Sequence, residues 1–272
     1  GLGDVYKRQE QNWLMPGGTE AIMRSPTYGA DSYWRQMNSY QIQDIAEGDG
    51  IILCPAANYV NYFGMANGLP LSDPNSGFSK EQPWKGRDPR FYNNFLYDGV
   101  KMIKAPTDDK FKAFEYANLY EGGNACNDPK RTSRTGYLNY KFIPLGANKA
   151  DNDYGYGKAT HFHLAWLRLA EVYLNLAEAI LGNNASTSEQ AACDAFNAVR
   201  KRAGMPSLTT ITYSDIHYER RIELALEGQY WYDLLRRSYY QQQEVVNYLN
   251  SQERNAGYEW DETEAVSYTH LR

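Results

Sequence analysis

The run RLAEVYLNLAEAI at residues 168–180 decides the fold. Leu167, Ala170, Leu174, Ala177 and Leu181 recur at intervals of three and four, the spacing at which side chains share one face of an α-helix. Leu169, Val172, Leu176 and Ile180 add a second apolar strip, which leaves only Arg168, Glu171, Asn175 and Glu178 as a polar stripe. A helix apolar around so much of its circumference is expected to be buried on most sides. It ends at Gly182, Asn183 and Asn184. Ser186, with Glu189 three residues later, has the pattern of a capping box, and Ala192, Phe196, Val199 and Ala203 then line one face of a second helix stopped by Gly204 and Pro206. Ser214 or Asp215 is placed to cap a third helix through Ile222, Ala225 and Leu226. Gly228 marks a break before a helical stretch at 230–239, and another follows at 242–249. Helix, short Asn-rich loop, antiparallel helix and a further pair is the layout of tetratricopeptide-like repeats, although no self-similarity at a fixed period accompanies it. The expected fold is mainly α: a tetratricopeptide-like helical-repeat scaffold with a large loop-rich region and short strands.

Upstream the texture differs. Residues 10–160 are rich in Gly, Pro, Asn, Asp and Tyr, with turn signals such as PGG, NGLP, DPNSG and RDP. Short strands are expected near residues 20–23 and 137–143, and no long alternating pattern occurs. An irregular region of this length is usually functional or packed onto a scaffold. The chain therefore divides into a loop-rich, ligand-facing region at 10–160 and a helical-repeat region at 161–265.

The 272 residues carry 28 Lys and Arg against 33 Asp and Glu, a net charge of −5 with no long basic run. Nucleic acid is excluded as the main partner, because phosphate binding needs clustered cations. No uninterrupted apolar stretch has membrane-spanning length. Cys54, Cys126 and Cys193 lie far apart without CxxC spacing, so neither a disulfide framework nor a zinc site is indicated. The unusual content is aromatic: 24 Tyr and 6 Trp, the raw material of ring-stacking sites.

Both ends resemble translated library adaptor. GLGDVYKRQ at 1–9 and VSYTHLR at 266–272 are translations of one transposon-end segment and its opposite strand, so residues 10–265 are expected to be an internal piece of a longer gene. Taken alone, such a piece of a helical solenoid is expected to leave apolar surface uncovered and to be marginally stable.

Five blocks carry a family likeness. RLAEVYLNLAEAI at 168–180, AFNAVRKRAGMP at 195–206 and HYERRIELALEGQYWYDLLRR at 217–237, preceded by NGLPLSDPNSG at 67–77 and RDPRFY at 87–92, together resemble the C-terminal half of the SusD/RagB family. The resemblance implies a tetratricopeptide-like scaffold with a loop-rich face, anchored as a lipoprotein on the outer surface of the outer membrane of Bacteroidota. It further implies non-catalytic binding of oligosaccharide or another nutrient, delivered to a SusC-like TonB-dependent transporter. Many relatives carry Arg where Tyr230 stands, so an ion pair made by that Arg is not expected here.

Oligosaccharides present CH-rich ring faces and many hydroxyls, and a site for them needs flat aromatic platforms beside amides, carboxylates or guanidinium groups. The segment TYGADSYWRQMNSYQ supplies Tyr28, Asp31, Tyr33, Trp34, Arg35, Gln36, Asn38 and Tyr40. Its candidate ligand-binding residues are Tyr28, Tyr33, Trp34, Arg35 and Asn38; Tyr154 and Tyr156 in DNDYGYGK extend the set as a rim loop. Loop-anchoring burial is the competing account of Trp34. A similar cluster, Asn58, Tyr59, Asn61, Tyr62 and Phe63, reads instead as packed structure.

Catalysis needs other residues. Glu219, Glu223 and Glu227 recur every four positions, and glycoside hydrolysis does use paired carboxyls, which keeps a glycan-cleaving enzyme as one alternative. Arg220, Arg221, Arg236 and Arg237 adjoin them, however, so ion pairs within the scaffold explain them better. His161, His163 and His217 form no HExxH, and no GxSxG elbow or phosphate loop occurs, Gly122 and Gly123 included. No catalytic residue, metal site or cofactor is assigned. A peptide-binding helical scaffold is the remaining alternative.

Overall fold

In the computed structural model, residues 18–26, 54–126, 133–141, 150–151, 163–251, 258–261 and 266–269 are described. Contacts divide the chain into a unit at 1–223 and a smaller one at 224–272.

The larger unit is built on three helices: α3 (Leu169–Leu181), α4 (Gln190–Arg202) and α5 (Tyr213–Glu223). α3 buries Ala170, Leu174, Ala177 and Leu181 against Ala192, Phe196 and Val199 of α4 and Ile216 of α5, with Ile211 closing the cluster. Burying a Leu or Phe fully in this way contributes about 1.5–3 kcal/mol per side chain. The spacing of these residues is the one read from the sequence. The second strip differs: Val172 is 38% exposed and Leu176 45% exposed, so α3 buries one face and presents the other.

The helix starts also depart from expectation. Residues 165–168, expected to be helical, form a strand, and α3 begins only at Leu169. Ser186 and Thr187 do not cap α4; they form β5 (Ser186–Thr187), antiparallel to β6 (Ile211–Thr212), and the helix starts at Gln190. The capping box lies elsewhere. Thr212 Oγ1 accepts from the Asp215 N–H at 3.2 Å while Asp215 Oδ2 accepts from the Thr212 N–H at 2.9 Å, the reciprocal arrangement that satisfies two orphan donors at the start of α5. At the end of α4, Gly204 takes φ +74°, a left-handed conformation that costs glycine little. Arg200, Lys201 and Arg202 occupy the last turn, where the helix dipole favours cations.

The irregular region has its own core. Leu96, Met102, Ile103, Ala117, Leu119, Ala125, Leu138 and Ala150 pack together. Two short helices, α1 (Ala57–Val60) and α2 (Pro89–Asn94), accompany β2 (Phe95–Leu96) and β3 (Leu138–Asn139), which pair antiparallel. β1 (Ala21–Arg24) pairs antiparallel with β4 (Ala165–Arg168), aligning Arg24 with Ala165 and Ala21 with Arg168. The expected strand near 20–23 is thus present one residue later, and that near 137–143 shrinks to two described residues.

The smaller unit holds α6 (Gln229–Ser238), α7 (Gln242–Ser251) and an antiparallel pair of β7 (Tyr258–Asp261) and β8 (Val266–Thr269). Gly228 (φ +77°) precedes α6, where the break was expected. Among the described residues no helix is long and apolar enough to cross a membrane.

Candidate functional site

The most densely organised chemistry among the described residues grows from the segment RDPRFY. Asp88 caps α2, accepting from the Arg90 N–H at 2.9 Å, and Pro89 follows where a missing N–H costs nothing. Being fixed by the cap, Asp88 also grips the Arg90 guanidinium twice, through Nε at 3.0 Å and Nη2 at 2.8 Å. Arg90 Nη1 then reaches Glu219 at 2.5 Å and Glu223 at 3.3 Å on α5.

From those two glutamates the network spreads. Arg200 donates to Glu219 at 3.0 Å. Glu223 accepts from Arg168 at 2.7 Å and from Arg202, and Arg168 continues to Glu20 at 2.8 Å. The Glu223 carbonyl accepts from Arg168 at 2.7 Å and from Lys141 at 3.3 Å. Asp88, Glu219 and Glu223 have no exposed surface. Burial alone would raise the Glu223 carboxyl, but Arg202, Arg168 and Arg90 outweigh it and hold the group far below the usual carboxylate range. Burial likewise opposes the Arg90 charge, and Asp88 and Glu219 reverse that, raising the guanidinium well above its ordinary value.

Ion pairs within the scaffold, as expected, hold Glu219 and Glu223, and Arg90, Arg168, Arg200 and Arg202 are among their partners. Arg220 and Arg221 adjoin the glutamates in sequence, yet Arg220 donates to Asn175 at 2.5 Å, and Arg221 lies over the Tyr62 ring at 3.7 Å. Arg236 meets Asp233 and Arg237 meets Glu244, both within the smaller unit. Glu227 lies beyond the end of α5, after Leu226 at φ +65°, so the three glutamates do not share one helical face. With Glu219 and Glu223 buried and each bound by arginines, neither presents a carboxyl to a substrate.

Arg87 is buried differently. It donates to the carbonyls of Phe63 (2.6 Å), Val60 (2.9 Å) and Pro83 (2.9 Å), and lies 4.6 Å over the Phe91 ring. The Val60 carbonyl, at the end of α1, also accepts from the Phe63 N–H at 3.2 Å. Desolvation lowers the Arg87 guanidinium from its ordinary value. Tyr92 completes the segment, its hydroxyl donating to the Trp84 carbonyl at 2.6 Å.

In the cluster at 58–63 the aromatic rings pack, Phe63 edge-on with Phe95 at 4.9 Å and Tyr62 against Tyr218 at 5.3 Å, whereas Asn58 and Asn61, expected to be packed with them, are exposed. The candidate ligand residues Tyr28, Tyr33, Trp34, Arg35, Asn38, Tyr154 and Tyr156 lie outside the described residues. Beside the paired β1 and β4, the Ser25 N–H donates to the Leu164 carbonyl while the Leu164 N–H donates to Ser25 Oγ, each at 2.9 Å. Among the described residues no group of three or more His, Cys, Asp or Glu could hold a metal ion.

Paired helices carrying a large irregular region through a buried ionic hub define a scaffold-type protein with a tetratricopeptide-like helical fold. The profile of the SusD family matches residues 19–269, and the chain belongs to that family. A SusD-like protein of Bacteroides ovatus is 44% identical over 95 residues, which are 35% of this chain and 17% of that protein. The crystal structure of a SusD-like protein from Bacteroides fragilis NCTC 9343 is 26% identical with a TM-score of 0.59, over 85% of this chain and 46% of that one. A structure solved with a xylogluco-oligosaccharide is 21% identical with a TM-score of 0.60, over 93% of this chain and 44% of that one. The chain thus spans about half the length of these solved structures.

Proposed function

We propose that this chain serves non-catalytic capture of oligosaccharide, or of a comparable nutrient, at the bacterial cell surface and its delivery to a SusC-like TonB-dependent transporter. The observation that carries the non-catalytic part is the state of the glutamates. Glu219 and Glu223 are buried and ion-paired, whereas a glycosidase needs carboxyls that touch substrate and exchange protons with it. The ligand class is supported by family membership and by the oligosaccharide present in one solved structure of the same fold.

The ligand residues proposed are Tyr28, Tyr33, Trp34, Arg35, Asn38, Tyr154 and Tyr156. In the chain one of their segments follows β1 and the other precedes β4. Anchoring as a lipoprotein on the outer membrane follows from the same family reading. Calorimetric titration with neutral oligosaccharides, beside an assay for new reducing ends, tests the proposal. Binding without cleavage is the expected result, and release of reducing ends would overturn it. Co-purification with a TonB-dependent transporter tests the partner.

A further inference from the structure

Helix α6 is apolar on two sides. Leu234 is buried, and Tyr230, on the same side, meets the Tyr248 ring of α7 edge-on at 6.3 Å. On the opposite side Trp231, Tyr232, Leu235 and Tyr239 recur at spacings that place them along one stripe, and all four are exposed, Trp231 by 56% and Tyr239 by 86%. The arginines beside them are engaged: Arg236 meets Asp233 at 3.4 Å and Arg237 meets Glu244 at 2.6 Å. A surface helix ordinarily turns polar residues outward, and the outermost pair of a helical solenoid needs a polar outer face to stay in solution. α6 does the reverse.

We propose that this stripe is the docking surface for a helical segment from the half of the SusD fold that this chain does not span. Three observations choose that occupant. Trp231, Leu235 and Tyr239 stand at intervals of four, the row of side chains that interdigitates with a second helix in the commonest helix packing, so the surface has the shape a helix fits. Trp and Tyr are also the side chains that dominate contacts between protein surfaces once water is excluded. Finally, the solved SusD-like protein of Bacteroides fragilis shares the fold, and this chain covers only 46% of it, so more than half of that protein has no counterpart here to lie on α6. A lipid surface fits less well, because Asp233 and Glu244 already take up the neighbouring cations that would meet anionic headgroups.

The test co-expresses the full chain with the part of the Bacteroides fragilis protein that it does not match, and follows association by analytical ultracentrifugation and amide hydrogen exchange. A one-to-one complex with slowed exchange over 229–240 is expected. Trp231→Ala combined with Leu235→Ala is expected to weaken that complex about thirtyfold while the chain melts at an unchanged temperature, since both side chains are exposed without the partner. Absence of a complex, or a complex that the double variant leaves equally tight, overturns the proposal. So does a homodimer of the chain alone that the double variant dissolves, which makes a second copy the occupant, and so does binding to phosphatidylglycerol vesicles that the double variant abolishes, which makes the stripe a membrane contact. Should the double variant fail to fold, exchange in the unaltered chain decides: slowing over 229–240 on adding the partner upholds the docking surface, and exchange there that ignores the partner overturns it.

Discussion

Arg90 and Glu219 stand 129 positions apart in the chain, yet their side chains meet at 2.5 Å with neither accessible to solvent. A buried charge left without its partner is strongly unfavourable, whereas replacing a whole ionic group by packed apolar residues is often neutral. Arg90→Ala is therefore expected to destabilise the larger unit by about 3–5 kcal/mol, and Glu219→Gln is expected to destabilise it as well, because Arg90 and Arg200 donate to different oxygens of Glu219 and the amide keeps only one of them as an acceptor. Denaturant unfolding checks both. A loss below 1 kcal/mol (roughly the value of an exposed pair) for Arg90→Ala would show the pair to be dispensable.

Acid sensitivity follows from Glu223. Its folded pKa lies below the ordinary 4.5, so the ionised group stabilises the fold at any pH above that value, and the contribution is lost as pH falls below 4.5 toward the folded pKa. Thermal melts from pH 6 down to about pH 2 are expected to show Glu223→Gln less pH-dependent than the unaltered chain, though less stable at neutral pH.

Tyr218 has the opposite sign. Burial, reinforced by Asp88, pushes its phenol up from 10.0 to about 12, and its hydroxyl accepts from the Gly64 N–H at 2.9 Å. Stability from the neutral phenol is complete below pH 10 and is lost as pH climbs toward 12. Ultraviolet titration is expected to reveal one tyrosinate forming late, and Tyr218→Phe is expected to remove that step.

Gly64 is fixed by close approach. A Cβ there would lie 2.5 Å from the Leu69 carbonyl oxygen and 3.0 Å from the Tyr218 hydroxyl. Gly64→Ala is expected to cost about 1–3 kcal/mol by overpacking, and a melting temperature equal to that of the unaltered chain would contradict it.

The two faces of α3 give a paired comparison. Leu174 is fully buried and Leu176 is not. Leu174→Ala is expected to cost about 2–5 kcal/mol and Leu176→Ala to stay within about 0.5 kcal/mol, both by denaturant unfolding. Equal losses would show the outer strip of α3 to be covered.

Much of the helical scaffold was legible because it is written locally. Ala170, Leu174, Ala177 and Leu181 declare a helix face by their period, and so do Ala192, Phe196 and Val199. Periodicity says which residues share a face and not what covers it, so the exposure of Val172 and Leu176 was invisible. The cap of α5 was misread because Thr212 sits in a β-branched pair that looks like strand, while Ser186 mimics a capping residue in a stretch that pairs as β5. RDPRFY reads from the sequence as a turn signal and a family mark. Its Asp-Pro start signals a helix cap, but nothing nearby announces that Arg90 will find Glu219.

The sequence by itself determined the helix faces, the turn-rich character of the rest, the lack of a long basic run and the supply of aromatic rings, since each is read from neighbours a few residues away or from composition. Tertiary structure alone decided which arginine serves which glutamate, which strip of α3 is buried, and that β1 pairs with β4. Those outcomes depend on contacts between separate elements, from 19 positions apart for Arg200 and Glu219 to 148 for Arg168 and Glu20, where side-chain reach and burial, rather than local spacing, set the partner.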